Sequence, residues 1–374
     1  MIFYLQGRKK VAEDCNFFLP FIIICYNITL YNVLSNNCIW RDFMLKFQEE
    51  SLRQSVNGAL ALRHQINPFL DAIFEKGITN ICFLGIGGTY ASAMQTVSHM
   101  KEFTSMEVFA ENAAEYITTG NRRIMDGTLL IYSSVTGSTP EIVKAVEKAH
   151  AAHATILAFL DNPNPHLREL CELCISYPQN EQLKLFMAAD RILFLRHEFD
   201  CYDDCYENFD CYLADALISV EQSSDSFAQE FAKKHCNDTL HYFVGAGNQW
   251  GSTYSYGMCY WEEMHWMATK TVSSGEFFHG TLEIISRDTP VTLFISEDAS
   301  RPLSLRVAAF LPKICANYTI IDAADYPLIG IKPQYRGFIS HLVTHAVTNR
   351  IDVHLEAINC HPMEIRRYYR CLEY

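Results

Sequence analysis

The chain has 374 residues, a net charge of −13, and 49% hydrophobic, 13% aromatic and 20% charged residues. That length accommodates two domains of ordinary size, and the aromatic content excludes a disordered chain. The acidic balance, with no basic patch of useful size, excludes nucleic acid as a partner. The 14 cysteines are scattered, and Cys171 and Cys174 form the sole C-x-x-C pair. With no second pair at zinc-finger spacing, no metal site is expected, and the cysteines read as free, buried thiols in a reducing cytosol.

Residues 1–43 differ from the rest. Arg8, Lys9 and Lys10 precede an apolar run from Phe17 to Cys25, interrupted by Pro20 and diluted by Asn27, Thr29 and Asn32. The run is too short for a secure membrane span and lacks a clean cleavage site, so this segment reads as an atypical upstream extension and no membrane partner is expected. From Met44, Leu45, Leu52, Val56 and Leu60 recur as on one helix face. Apolar runs then alternate with amphipathic stretches: 81–86, 128–132 and 155–160, followed by an acidic, largely helical connection at 181–235. A second set follows at 240–247, 291–296 and 318–322. Continuous apolar strands separated by helices predict an α/β protein with parallel sheets covered on both faces. The recurrence predicts two copies of one unit, at 44–180 and 236–374.

Ligands of such sheets bind at loops beyond the strands' carboxyl ends. Gly85-Ile-Gly-Gly-Thr89 permits close backbone approach, and Ser133-Ser-Val-Thr-Gly-Ser-Thr139 supplies five hydroxyls in seven residues. Thr139 is placed as a helix N-cap, with Pro140 at the first helical position. The unpaired N–H groups of that helix start, together with rotatable hydroxyls, suit a phosphate monoester; an ordinary capped helix after a polar loop would look the same. The glycine loop is neither a Walker A sequence nor a full dinucleotide fingerprint.

Further on, Ser273-Ser-Gly-Glu-Phe-Phe-His-Gly280 packs hydroxyls, a carboxylate and a histidine into one turn-prone segment. Its His279 follows Glu263 by 16 residues. A histidine titrating near neutrality can exchange protons with a reacting oxygen, although one beside two phenylalanines can equally be packing. Glu262 and Glu263 are about 100° apart on a helix of about 3.6 residues per turn, so at most one of them faces a site. Periodicity does not choose between them. His265, between Met264 and Trp266, reads as core or interface.

The glycine loop at 85–90, S-S-V-T-G-S-T and S-G-E-F-F-H-G together resemble a sugar isomerase (SIS) domain protein from about Met44 onward. The chain is most similar to the fructosamine 6-phosphate deglycase branch, as is the C-terminal His361-Pro-Met-Glu-Ile-Arg-Arg-Tyr-Tyr369. The resemblance implies two SIS subdomains, each a flavodoxin-like parallel sheet flanked by helices. It also implies a cytoplasmic homodimer with sites at the subunit boundary and no metal or organic cofactor. The implied contacts with a phosphorylated sugar-amine substrate are Gly87, Thr89, Ser134, Thr136, Ser138, Thr139, Ser274 and Glu276. Val135 departs from the polar residue often found there, removing one side-chain contact. Glu263 and His279 are the implied catalytic pair, with His279 acting in its own or in the neighbouring subunit.

The implied reaction is cleavage of a fructosamine 6-phosphate to glucose 6-phosphate and a free amino acid. A phosphosugar aldose–ketose or amino-sugar isomerase would use the same proton transfer without C–N cleavage. A non-catalytic phosphosugar-binding regulator is the other alternative, and the absence of a basic DNA-binding segment argues against it.

Overall fold

The apolar runs become the inner strands of two parallel sheets. The structure, a computed structural model, describes residues 44–162 and 164–373, so the expectations for residues 1–43 lie outside the described residues. Residues 48–374 form one unit. It opens with helices α1 (Glu49–Ala61) and α2 (Arg63–Phe74). Val56 and Leu60 of α1 are buried. The helix begins at Glu49 rather than at Met44, and Leu45 precedes it in a turn, so the apolar spacing ran on past the helix start.

The first sheet contains β1 (Asn80–Gly85), β2 (Glu107–Asn112), β3 (Thr128–Ser134), β4 (Thr155–Leu160) and β5 (Leu173–Ile175), in the order β2-β1-β3-β4-β5. All its pairings are parallel, and the order is flavodoxin-like. Helices α3 (Gly88–Met100), α4 (Ala113–Thr119), α5 (Pro140–Ala151) and α6 (Pro165–Glu169) connect the strands. Every residue of β1 and β3 is buried, which is why their sequences are continuously apolar rather than alternating.

Helices α7 (Glu181–Leu195) and α8 (Tyr202–His235) lead to the second sheet. Its strands are β6 (His241–Gly245), β7 (Thr269–Ser273), β8 (Val291–Ile295) and β9 (Tyr318–Asp322), in the order β7-β6-β8-β9, again all parallel. Helix α9 (Asn248–Ser255) follows β6, α10 (Arg301–Phe310) follows β8, and the long α11 (Arg336–Asn359) closes the second half. Helices α8 and α11 pack together. Arg350 and His354 on α11 both reach Asp225 on α8, at 2.7 and 2.9 Å.

Two helices bring the halves together. A Cβ at Gly251 on α9 would overlap the Ala91 carbonyl on α3, so this glycine permits close backbone approach. Among the described residues every cysteine is a free thiol; Cys82, Cys205 and Cys315 are buried, whereas Cys201, Cys211, Cys360 and Cys371 are exposed. No helix among the described residues is long and apolar enough to cross a membrane.

Candidate active site

In the first sheet the strand order reverses between β1 and β3, and the loops leaving these two strands meet there. Gly87 adopts φ 59°, and no atom lies within 4 Å of where a Cβ would stand, so the loop faces open space. Thr89 Oγ1 accepts from Ile86 N at 2.9 Å and donates to Ile86 O at 3.0 Å, closing that turn. In the next loop, Ser134 Oγ accepts from Gly137 N at 3.1 Å. Thr136 Oγ1 lies 3.5 Å from Thr139 Oγ1. Thr139 is the N-cap of α5 and Pro140 its first residue, but the Thr139 side chain makes no capping bond. The first N–H groups of α5 therefore remain without that partner, as an anion site requires.

The second half repeats the geometry with a different outcome. Gly247, at φ 58° and ψ −130°, matches Gly87 at φ 59° and ψ −127°. Here Asp298 Oδ2 accepts from Asn248 N at 2.8 Å, and Ser300 N and Oγ donate to Asp298 Oδ1. A carboxylate of the chain itself occupies this helix start, leaving the first-half loop as the open one.

Beside that loop is a cavity of about 1770 Å³. Gly87, Thr89, Ser134, Thr136, Ser138 and Thr139 line it, together with Glu263 from the second half. Glu263 is carried by an unexpected element: Tyr256–Glu262 is a π-helix, so the expected α-helical spacing does not apply. Glu263 N bonds Met258 O at 3.1 Å and His265 N bonds Tyr260 O at 2.9 Å, both five residues back. Such wide turns frequently occur at functional sites. Glu262 is exposed and accepts from Thr269 Oγ1 at 2.7 Å, while Glu263 turns to the cavity. His265 is buried, 3.2 Å from Asp352 Oδ1.

Ser274, Glu276 and His279 do not line the cavity of their own chain. Ser274 is buried, with Oγ 3.0 Å from Ser304 Oγ, whereas Glu276 and His279 are exposed. Phe277 is fully buried and anchors the segment, with Phe278 packed against its core.

Two C-terminal arginines meet residues of the cavity, and Arg370 itself lines it. Arg366 Nε donates to Glu263 Oε1 at 2.8 Å, and Arg370 Nη2 to Thr136 Oγ1 at 3.4 Å. The C-terminal segment that carries them is anchored where Trp266 meets the His361 ring at 4.1 Å and the Arg367 guanidinium at 4.3 Å. Glu181, at the start of α7, and His345, on α11, line the same cavity. Burial holds His345 below its ordinary value, towards the neutral ring. Burial pushes the Cys259 thiol up to about 11, so it is not a thiolate nucleophile at neutral pH. An excess of basic residues in the last turns of an acidic chain was the available signal for Arg366 and Arg370. Glu181 and His345 left none.

Among the described residues, His235, Asp238 and His241 form a group whose ligand atoms lie within 4.8 Å of one another. Both imidazole Nδ1 atoms bond the same Asp238 Oδ2, at 2.7 and 2.8 Å, and none of the three lines the cavity. This group ties the end of α8 to the start of β6.

Two parallel sheets of flavodoxin-like order, with an open hydroxyl loop on the first, define an α/β class of two like subdomains, and residues 75–194 match the SIS domain family. The chain is similar to fructosamine deglycase FrlB of Bacillus subtilis (strain 168), 26% identical over 323 residues, covering 84% of this chain and 98% of that protein. It is also similar to fructoselysine 6-phosphate deglycase of Escherichia coli (strain K12), 24% identical over 337 residues, covering 88% and 96%. A Bacillus subtilis crystal structure described as a phosphosugar isomerase superposes with a TM-score of 0.79 at 26% identity, covering 85% of this chain and 99% of that one. The C-terminal domain of glucosamine-fructose-6-phosphate aminotransferase from Francisella tularensis shares the fold, with a TM-score of 0.63 at 12% identity and coverage of 81% and 94%.

Proposed function

We propose that this chain is a phosphosugar enzyme that cleaves fructosamine 6-phosphates to glucose 6-phosphate and a free amino acid. The observation that carries the reading is the shared cavity, with an open hydroxyl loop at a helix start on one side and the Glu263 carboxylate on the other. The names of the relatives, fructosamine deglycase and fructoselysine 6-phosphate deglycase, support the same substrate class.

The 134–139 loop and the start of α5 hold the phosphate, using hydroxyls and backbone N–H groups as donors. The sugar ring opens to expose the C2 ketone. Glu263 removes a proton from C1, giving an enaminol, and reprotonation at C2 gives the C1 Schiff base. Water adds to C1 and the amino acid departs, leaving glucose 6-phosphate. His279 moves protons at the sugar oxygens during ring opening and enolisation. In this reading His279, which is exposed and outside its own chain's cavity, serves the cavity of a second copy, and the working unit is a homodimer in the cytoplasm. Buried Ser274, bonded to Ser304, holds the His279 segment in position, and exposed Glu276 meets the substrate of the same second copy. No step requires a metal or an organic cofactor. The phosphate supplies remote binding energy that positions C1 against Glu263.

An isomerase would share the C1–C2 proton transfer, and the name of the structural neighbour, phosphosugar isomerase, favours it as the second reading. One assay separates them. A panel of fructosamine 6-phosphates is incubated with the enzyme, and glucose 6-phosphate and free amino acid are measured. Equal release of both is expected; interconversion of hexose phosphates with no amine release would overturn the deglycase reading.

A further inference from the structure

We propose that Glu181 reads the nitrogen of the substrate by pairing with the protonated secondary amine on C1 of a fructosamine 6-phosphate, an inference that rests on the reaction proposed above. Glu181 is the first residue of α7 and follows Asn180, whose backbone is left-handed at φ 51°. It lines the cavity shared by the hydroxyl loop and Glu263. Ser92 on α3 and Ser133 on β3 line the same cavity, and their hydroxyls favour the ionised carboxyl against the effect of burial. Its charge also bears on Cys259 and Tyr260, the cavity residues on which Glu263 acts as well. Both carboxyls line the same cavity as Cys259 and Tyr260 of the π-helical wall.

Their surroundings differ. Glu263 has Arg366 at 2.8 Å, Asp161 has Lys184 at 2.8 Å, and Glu221 has Arg350 at 4.0 Å. The field of Lys184 reaches Glu181, but its ammonium is engaged by Asp161 and by Tyr177 O at 2.9 Å. Burial consequently pushes the Glu181 carboxyl above its ordinary range. A half-buried carboxyl without a close cation is an unmet demand for positive charge. A fructosamine 6-phosphate brings a phosphate at C6 and an ammonium at C1. The phosphate has the hydroxyl loop, and Glu181 is the group available for the ammonium. Glu263 is unsuited to that task, since Arg366 already pairs with it at 2.8 Å. A ketose phosphate with a hydroxyl at C1 has the same shape and offers no charge there, so Glu181 separates the two classes.

The test is calorimetric titration of the full chain with 1-amino-1-deoxyfructose 6-phosphate and with fructose 6-phosphate. The parent is expected to bind the amine about tenfold or more tightly than the hydroxyl compound, the margin of a charge-assisted hydrogen bond. Glu181→Gln should remove that preference while leaving fructose 6-phosphate affinity within about twofold, because the neutral amide keeps the shape without the charge. Glu181→Asp, with its carboxylate drawn back, should retain part of the preference, and it provides the comparison if the glutamine variant does not fold. Equal loss of affinity for both ligands, or no preference in the parent, overturns the proposal. Preference for the amine without any release of glucose 6-phosphate would instead sink the deglycase reading and leave Glu181 as an amine-recognising residue.

Discussion

Arg366 Nε lies 2.8 Å from Glu263 Oε1, joining the C-terminal segment to the carboxylate at the end of the π-helix. The same guanidinium donates to the Met363 and Ile365 carbonyls, which fixes its position on the segment. A carboxylate held by a fixed cation is oriented before substrate arrives, a form of preorganisation in which the charge-assisted bond supplies direction. Both side chains are partly exposed, at 20% and 27%, so the contribution of the pair to stability is small and its value is positional.

The first prediction follows from that geometry. Glu263→Gln should lower turnover by at least about a hundredfold with sugar-phosphate binding largely retained, as for loss of a general base. Glu262→Gln should be mild, because Glu262 is exposed and turned to Thr269. Arg366→Gln should lower kcat by roughly tenfold with a smaller change in KM, since it acts through Glu263. Steady-state kinetics of the three variants decide the assignment, and a reversal of the two glutamates would refute it.

The second prediction concerns the hydroxyl loop. Thr136→Ala and Thr139→Ala should each raise KM about fivefold or more, the cost of a hydrogen bond to a charged group. Arg370→Ala should add to the Thr136 effect less than additively, since Arg370 donates to Thr136 Oγ1 at 3.4 Å. Unphosphorylated fructosamine should be a poor substrate for the parent; equal rates on both forms would remove the phosphate from this loop.

The inner strands were legible because burial on both faces imposes continuous apolar runs, as in β1, β3, β4, β6 and β8. The strands that sequence reading passed over, β2, β5 and β7, are all sheet edges. Edge strands carry mixed or very short sequences, such as Glu107-Val-Phe-Ala-Glu-Asn112, and so give no clear period. The glycine loops at 85–87 and 245–247 have the same G-x-G pattern, and Gly87 and Gly247 have matching dihedral angles. What separates them is Asp298, about 50 residues downstream of the second, which no local pattern connects to it. Arg366 and Glu181 meet the site only through tertiary packing, so the basic C-terminal composition marked Arg366 without placing it at Glu263, and nothing local marked Glu181. The π-helix was unreadable because periodicity arguments assume about 3.6 residues per turn.

The third prediction is that stability falls between pH 6.5 and 4. His341 is enclosed on α11 against Phe186, its ring centroid 4.5 Å away, and neither ring nitrogen has a hydrogen-bond partner. Burial, aided by nearby His99 and His345, pushes it down to about 3. Burial likewise pushes His241 down to about 4 against the pull of Asp238. Unfolded, each takes up a proton near 6.5, so below that pH the unfolded chain binds more protons and stability declines as pH falls. His341→Phe should flatten this slope in urea denaturation series at pH 7, 6, 5 and 4. An unchanged slope would mean that His341 is already protonated in the folded chain.

The last prediction tests whether the site is shared between two copies. His279 is exposed and does not line the cavity holding Glu263, although the two lie 16 residues apart in sequence. If a neighbour supplies the histidine, Glu263→Gln and His279→Asn chains should rescue one another. Each heterodimer would then hold one intact site and one doubly damaged site. With random exchange of subunits about half of the dimers are mixed, so activity should recover to roughly a quarter of the parent value. Native mass spectrometry of the mixture establishes that exchange has occurred. A fully exchanged mixture that remains inactive would place the required histidine within the same chain. His345, which lines that cavity as a neutral ring, would then be the residue to replace next.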